Sequence, residues 1–398
     1  MAVTDDPPTT LVLRFADVGV ATYAGLRVVA APDQLVTWVL ADNDLTPLTD
    51  ELAAALPDPA PGEQVTDALA RAFTRGAYAT RDAERRFAGR LGALLPPAAW
   101  ELLRQAPKNA VLFVSPSTRL SRVPWGLLAA PDTDERLIEL VDVAMAVPAN
   151  IANSPRPQAH PISNDTVAVV LDPKVPGQRP DSALGSVLGR PSVDSVLARH
   201  FADRAVLPAV TDPVALFRRT DIDRHALAAM LDQRPARLVY VGHASAGEDR
   251  AGYADRAALH LAEPEALSAA DIITARLPIP PRVALLACAS GGDYRFDEAT
   301  GLVAAMILGG AQVVTATLWS LPTTAGYRRF AAADDDPMSA LVIAVDDAHG
   351  GSAAAAAVNR WQRDCLQRWR SGDAAVSPLY WAALVSFIVG RITARSIG

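Results

Sequence analysis

A chain of 398 residues is too long for one ordinary hydrophobic core, so its length predicts two modules or one enlarged α/β domain. The net charge of -7 and a pI near 5.4 argue against a nucleic-acid-binding protein, because no basic stripe is available to neutralise phosphates. The two cysteines, Cys288 and Cys365, are too few for a disulfide framework and favour a reducing cytoplasm, and the first residues lack the basic and apolar blocks of a signal peptide.

The first part of the chain shows strand patterns followed by helical periodicity. A turn is predicted at Ala31-Pro32-Asp33, between the second and third strands, so the strands are expected to form an antiparallel meander. The predicted strands cover residues 10–15, 25–31 and 35–41, and the predicted helices cover residues 67–75, 82–95 and 98–105.

A proline-rich stretch at residues 154–166 is the best candidate for a domain boundary. We therefore expect one unit at residues 1–155, which holds the meander, the helices and a first α/β half, and a second α/β unit at residues 156–398. Beyond the boundary, residues 173–191 form a glycine- and proline-rich loop whose length is typical of a mobile or functional segment.

Strands and helices alternate in the second half, which predicts a mostly parallel sheet covered on both faces, with active residues in the loops after the strands. The uncharged run at residues 299–327 is long enough to cross a bilayer, but Gly309-Gly310 divides it into a helix and a strand, so we interpret it as buried and expect no membrane partner. From residue 110 onward, the predicted strands are 110–115, 137–148, 167–171, 205–207, 237–241, 257–261, 283–287, 312–319 and 379–389, and the predicted helices are 193–201, 221–232, 268–277, 301–308, 338–348 and 352–370.

Cys288 ends one apolar strand pattern and is followed by Ser290-Gly291-Gly292, and His243 ends another, RLVYV. A cysteine that a buried strand holds in place and that glycines leave accessible occupies a typical nucleophile position. Because neighbouring parallel strands lie about 5 Å apart, the pair predicts a site with Cys288 as nucleophile and His243 as base and later acid. For Cys288 taken alone, the alternative is an inert buried thiol, and for His243 taken alone it is a packed histidine.

The residues around this pair supply further candidates. The backbone N–H groups of Cys288 and Ala244 are the predicted oxyanion donors. The acidic residues after the cysteine could bind a basic substrate side chain or be solvated loop charges, and Trp319 could line a peptide groove or belong to the core. The substrate-binding candidates are Gly291, Gly292, Asp293, Asp297, Glu298, Trp319 and Ser320. Cys365 lies in a basic amphipathic helix and is predicted to pack, and no zinc site or other cofactor is expected.

Several sequence blocks resemble the CHAT family, which is grouped with caspases, separases and gingipains. These blocks are RLVYVGH, LLAC with the glycines after it, ATGLVAAMILGGAQVVTATLW and SPLYWAALVSFIVG, and the earlier SPSTRLSRVPWGLL and LIELVDVAMAVP. The resemblance covers most of residues 80–395. It implies a three-layer α/β/α caspase-haemoglobinase-like fold with a mostly parallel sheet, preceded by a degenerate pseudo-caspase-like half with the N-terminal meander. The family's catalytic histidine and cysteine map onto His243 and Cys288.

The resemblance implies a cysteine endopeptidase that cleaves a dedicated protein partner through a thioester in a bacterial defence or regulated cell-death system. A separate sensor or activator protein, or cleavage within residues 173–191, would switch it on. The alternative is a catalytically silent scaffold or sensor that binds a partner. Two departures bear on specificity: Ala287 stands where some clan members carry an acidic residue for a basic substrate side chain, and Ala244 stands where the family usually has glycine.

Overall fold

One large sheet runs through the part of the molecule that the computed structural model describes. The described residues are 8–131, 133–157, 162, 164–179, 182, 184–245, 254–288, 290–292, 301–331 and 334–389. Within them, eleven strands join in a single sheet and three short strands form a second one. The strands are β1 (Thr10–Asp17), β2 (Ala21–Val28), β3 (Ala31–Ala41), β4 (Val111–Ser115), β5 (Asp142–Ala146), β6 (Val167–Leu171), β7 (Val206–Leu207), β8 (Arg237–Gly242), β9 (Ala244–Ser245), β10 (Ala258–Leu259), β11 (Leu267–Ser268), β12 (Arg282–Ala287), β13 (Val313–Thr317) and β14 (Leu384–Ile388).

Helices connect most of these strands. They are α1 (Asp42–Ala55), α2 (Val65–Thr74), α3 (Arg81–Gly92), α4 (Pro97–Arg104), α5 (Leu137–Leu140), α6 (Ala149–Ala152), α7 (Val196–Ala202), α8 (Arg224–Asp232), α9 (Ala269–Thr274), α10 (Leu302–Leu308), α11 (Thr324–Phe330), α12 (Pro337–Gly350), α13 (Ala354–Ser371) and α14 (Pro378–Trp381). Short 3-10 turns lie at Thr118–Leu120, Trp125–Leu127, Pro213–Leu216 and Ala254–Arg256.

The large sheet has the order β3-β2-β1-β4-β5-β14-β13-β12-β8-β6-β7. The β1–β2, β2–β3 and β13–β14 pairs are antiparallel and the remaining pairs are parallel, which confirms the predicted meander and mostly parallel sheet. Successive side chains of a strand point to opposite faces, yet every residue of β6 and β8 is buried, so both faces are covered. The sheet is continuous from one predicted unit into the other, and the boundary between them stays a prediction.

The uncharged run forms a helix and a strand, as predicted. Helix α10 ends at Gly309, where an added Cβ would lie 2.4 Å from the Ile279 side chain, and Gly310 has a φ of +126° that favours glycine. Strand β13 follows and enters the centre of the sheet. None of the helices in the described ranges combines the length and the hydropathy that a bilayer crossing needs.

Two predictions for the N-terminal segment are wrong. The chain turns at residues 29–30, and Ala31-Pro32-Asp33 begins β3. Proline is tolerated there because β3 is an edge strand with a register irregularity opposite Arg27 and Val28. Helix α1 was not predicted, since Pro47 lies inside it and masks the pattern. Its burial of Leu45, Leu52 and Ala55 supports the helix despite the proline.

Two predicted strands begin as helices. Residues 137–148 form α5 before β5, and residues 379–389 begin within α14 before they enter β14. Each of these helices has a capping hydrogen bond at its N-terminus. The Arg136 N–H donates to the Glu139 carboxylate at 2.8 Å, and the Ser377 hydroxyl accepts the N–H of Leu379. Short apolar runs lack a period that separates a buried helix from a buried strand, which explains both errors.

Candidate active site

The predicted histidine and cysteine follow two neighbouring strands of the large sheet. Strands β8 and β12 are parallel, and Gly242 pairs with Ala287. His243 and Cys288 are the next residues on each strand, so both lie at the same edge of the sheet. The apolar sequences of the two strands bury them at the centre of the sheet, which leaves their carboxyl ends as the place where functional side chains emerge.

The Cys288 thiol is half-buried, and its surroundings favour the protonated form. Burial raises the pKa of the Cys288 thiol most strongly, a hydrogen bond with Ser320 lowers it, and the negative charge of Asp58 raises it again. Smaller lowering effects on this pKa come from hydrogen bonds with the backbone N–H groups of Cys288 and Ala244. Because the balance is a raised pKa, the thiol needs a base to become a nucleophile.

The two backbone amides predicted as oxyanion donors belong to the residues that follow the paired ends of β8 and β12. The N–H groups of Ala244 and Cys288 both lower the pKa of the Cys288 thiol, as donors that favour a negative charge on the sulfur would do. Pairing of β9 with β10, in which Ala244 lies opposite Leu259, holds the first of these amides in place. The two donors therefore converge beside the atom that would attack a carbonyl group.

His243 is 8% exposed, and one backbone carbonyl indicates which of its ring nitrogens carries a hydrogen. Its Nε2 atom lies 2.9 Å from the Gly185 oxygen. A carbonyl oxygen only accepts hydrogen bonds, so Nε2 must carry a hydrogen, and in the neutral ring Nδ1 is then the acceptor. The backbone carbonyl of His243 is held in turn by the Tyr240 hydroxyl at 2.7 Å and by the His260 N–H at 3.0 Å.

The loop that carries Gly185 is held by a buried ion pair at the end of β6. Asp172 is fully buried, and Arg218 donates to its Oδ1 at 3.1 Å and to the Gly185 carbonyl at 3.0 Å. Three more donors bind Asp172 Oδ2: Ser186 Oγ at 2.8 Å, Val187 N at 3.1 Å and Leu188 N at 3.3 Å. The length of this loop predicts a mobile or functional segment, but only the structure identifies Gly185 as the residue that contacts the histidine.

The remaining site candidates divide into three groups. The Gly291 N–H donates to the Thr317 carbonyl at 2.9 Å, and an added Cβ would lie 3.2 Å from that oxygen, so this glycine lets the loop pack on β13. Trp319 is fully buried and its Nε1 donates to the Leu379 carbonyl at 2.9 Å, which places it in the core. Gly292 follows β12 and Ser320 follows β13, and both are half-buried. Asp293, Asp297 and Glu298 lie outside the described residues.

Cys365 is buried in α13, in agreement with its predicted packing role. Burial raises its pKa to about 12, so it stays a thiol at neutral pH. The two cysteines are therefore chemically distinct: one is half-buried beside polar groups, and the other is enclosed in the core. This difference makes Cys365 an internal marker of folding in labelling experiments.

One cluster has metal-ligand character among the described residues. Ligand atoms of His200, Asp346 and Asp347 lie within 4.8 Å of one another. The Asp346 carboxylate, however, already binds Arg237 at 2.6 Å and His200 at 2.9 Å, with Arg204 at 3.5 Å. Burial alone would raise the pKa of Asp346, but these hydrogen bonds and positive charges hold it at about 2. A cation would have to compete with two arginines, so we interpret the cluster as a structural ion-pair network.

The chain is similar to several solved structures. Two crystal structures of the separase–securin complex from Saccharomyces cerevisiae align with TM-scores of 0.47 at 11% and 12% identity. The alignments cover 96% of this chain and 30% of that chain, so the chain spans less than a third of the separase it resembles. The complex of the pro- and mature domains of RgpB from Porphyromonas gingivalis aligns with a TM-score of 0.38 at 8% identity, over 87% of this chain and 76% of that chain.

The search of curated proteins found no match. The family model of the CHAT domain, by contrast, matches residues 85–391, which is well over half of the chain and includes both β8 and β12. This match agrees with the sequence blocks around His243 and Cys288 and with the mostly parallel sheet that carries them. The protein belongs to the CHAT domain family.

Proposed function

We propose that the protein is a cysteine-type endopeptidase in which Cys288 is the nucleophile and His243 is the general base. The observation that carries the proposal is the register of β8 against β12, which sets the two residues at adjacent strand ends. The Ala244 N–H, which follows His243 directly and lowers the pKa of the Cys288 thiol, supports it, because the histidine strand would supply an oxyanion donor as well as the base. Membership of the CHAT family agrees with this chemistry.

The reaction would proceed in two halves. His243 Nδ1 takes the proton of the Cys288 thiol as the sulfur bonds to the scissile carbonyl carbon, and the N–H groups of Ala244 and Cys288 bind the resulting oxyanion. The imidazolium then gives this proton to the departing amine as the C–N bond breaks, which leaves a thioester. Water, deprotonated by His243, attacks the thioester carbon, and the proton returns to the sulfur as the acid product leaves.

The substrate we propose is one dedicated protein, in a bacterial defence or cell-death system, with a separate sensor or activator as partner. Support for these finer assignments comes from the family resemblance and from Ala287, which supplies no charge to select basic side chains generally. Two free cysteines support a cytoplasmic location. One observation favours a second function, a silent scaffold that binds a partner: the thiol is half-buried and its pKa is raised.

The test is labelling with a peptide that carries a thiol-directed warhead, read by mass spectrometry on the folded and activated protein. We expect modification at Cys288, loss of labelling in Cys288→Ala, and a fall of about 100-fold or more in rate in His243→Ala. The matched control is Cys365→Ala, which should leave labelling unchanged. Proteomics of cells that express the active or the Cys288→Ala form would identify the substrate. A bound partner that is never cut, together with no warhead labelling, would contradict the peptidase and support the scaffold.

A further inference from the structure

The Gly185 carbonyl that contacts His243 has a second donor, the side chain of Arg218. His243 Nε2 lies 2.9 Å from this oxygen, and Arg218 Nη1 lies 3.0 Å from it. A carbonyl oxygen has two lone pairs, so these two donors together fill its capacity as an acceptor. The same Nη1 atom, which carries two hydrogens, also donates to Asp172 Oδ1 at 3.1 Å. Arg218 therefore connects a fully buried carboxylate to the oxygen that holds the histidine ring.

The peptide group after Gly185 is held from both of its ends. On one side, Asp172 Oδ2 accepts three donors from residues 186–188, at 2.8, 3.1 and 3.3 Å. On the other side, Arg218 binds the Gly185 oxygen itself. The carbonyl can turn away from His243 only if the Arg218 bond breaks, because the residues that follow it are fixed to the carboxylate.

The backbone of the ion pair is an independent observation that points to the same two residues. Asp172 has a φ of 51° and Arg218 a φ of 52°, a left-handed conformation that few residues other than glycine adopt. The Asp172 N–H donates to the Val241 carbonyl at 2.6 Å, and the Arg218 N–H donates to the Leu171 carbonyl at 3.1 Å. Backbone strain of this kind concentrates at functional sites. Glycine would relieve the strain at either position, but it would remove one side of the ion pair.

We propose that Arg218 is a positioning residue for His243, which holds the Gly185 carbonyl in the orientation that accepts the Nε2 hydrogen and so leaves Nδ1 available as the base. The inference rests on the proposed role of His243 as general base. An ion pair that only joined two loops would need Asp172 and Arg218 alone. The additional bond from Arg218 to the oxygen that His243 contacts gives this pair its place in the site.

The first experiment measures how fast diethyl pyrocarbonate modifies His243 in the full chain, by mass spectrometry and relative to the exposed His225. Arg218→Met should make this modification about fivefold faster, because a carbonyl that is free to turn releases the ring and one ordinary hydrogen bond corresponds to about that factor. Arg218→Lys keeps the positive charge and should show a smaller increase. His349 is fully buried, so its protection from the reagent shows that each variant is folded.

The second experiment measures labelling of Cys288 by a peptide warhead over a range of warhead concentrations. In Arg218→Met, the maximal rate should fall about tenfold or more, because a displaced base slows proton transfer. The half-saturating concentration should stay the same, since Arg218 would act through His243 and not on the peptide. A purely structural role of Arg218 would lower the unfolding temperature and leave both the maximal rate and His243 modification unchanged.

The control is Arg219→Met, which changes the neighbouring arginine, paired with an exposed carboxylate, and should leave His243 modification unchanged. If Arg218→Met does not fold, Asp172→Asn/Arg218→Met leaves no buried charge unpaired and should show the same faster modification. An unchanged His243 rate in the folded variants, or an equal increase in Arg219→Met, would overturn the proposal. Faster His243 modification in a protein whose Cys288 is never labelled would refute the proposed peptidase alone, because this reagent needs no catalytic activity.

Discussion

The chemistry of the candidate site depends on where two hydrogens lie. Burial raises the pKa of the Cys288 thiol, and the Gly185 carbonyl holds a hydrogen on His243 Nε2. Because burial favours the thiol, the proposed reaction would need Cys288 to give up its proton during attack. The sequence indicates both residues because each follows a strand, but the Gly185 carbonyl that bonds to His243 is distant from it in the chain.

A second buried imidazole, His349, makes the stability of the protein depend on pH. Burial chiefly lowers the pKa of His349 from 6.5 to about 3, and its Nε2 lies 2.8 Å from Thr315 Oγ1. The imidazole binds a proton near pH 6.5 in the unfolded chain but stays neutral in the folded chain until about pH 3. Its contribution to the free energy of unfolding is therefore present above pH 6.5 and is lost as the pH falls towards 3. Between about pH 6.5 and about pH 5, the free energy of unfolding should fall by about 2 kcal/mol.

Urea unfolding at the two pH values measures this loss. His349→Gln should remove its share of the pH dependence, because glutamine does not titrate. His225→Gln is the matched control, since His225 is exposed and its replacement should change little. An equal pH dependence in the wild-type protein and in His349→Gln would contradict the assignment.

At the scale of elements, the loop after β6 is positioned by polar contacts. Asp172 binds Arg218 and three donors of residues 186–188, and Arg218 binds the same Gly185 carbonyl that His243 contacts. The loop thus connects the end of β6 to the histidine at the end of β8. Glycine and proline content predicts that these residues form a loop, while its ordered contacts arise only after β6 and β8 pair.

Replacement of Asp172 by asparagine should destabilise the fold and disturb the site. The change leaves the Arg218 charge without its carboxylate at a place where Asp172 is fully buried, and breaking such a pair costs about 3 kcal/mol or more. Chemical denaturation measures the loss. Arg219→Ala is the neighbouring control: its partner Asp221 is 62% exposed, so the expected cost is below about 1 kcal/mol. Equal losses in the two variants would contradict a specific role for Asp172.

At the scale of the whole molecule, the sheet and one helix join the two predicted units. Strand β14 from the end of the chain pairs with β5 only at Met145 and Ala146. Beyond that pairing, the side chain of Asn359 in α13 bonds to the backbone of β5. Its Oδ1 accepts the Val143 N–H at 2.8 Å, and its Nδ2 donates to the Val143 carbonyl at 3.1 Å. A side chain thus replaces a missing strand partner, and the two units are expected to unfold together.

Asn359→Ala tests this connection. The Val143 N–H and carbonyl would lose their partner, and leaving a buried polar group without one costs about 1 to 3 kcal/mol. Calorimetry should show one transition in the wild-type protein and a lower midpoint in the variant. Arg360→Ala changes the next, exposed residue of α13 and should have little effect. Two separate transitions in the wild-type protein would contradict joint unfolding.

The sequence by itself determines the parts of this protein that depend on neighbouring residues. The apolar run before Cys288, the run before His243 and the Gly309-Gly310 break predict central strands and a buried helix–strand unit, because burial and backbone freedom are local properties. The family blocks predict the CHAT fold for the same reason, since they preserve the order of these elements. The α1 helix and the helical starts at residues 137 and 378 escaped prediction because packing outweighs weak local preference.

Only the tertiary structure decides how the candidate site is completed. Asp58 reaches Ser320 across 262 positions of sequence, and Gly185 reaches His243 across 58 positions, and no local pattern specifies either contact. These contacts exist because the sheet brings β6, β8, β12 and β13 side by side and the N-terminal part contacts the residues after β13. A carboxylate or a carbonyl acquires such a role from what it faces, and what it faces is set when distant strands pair.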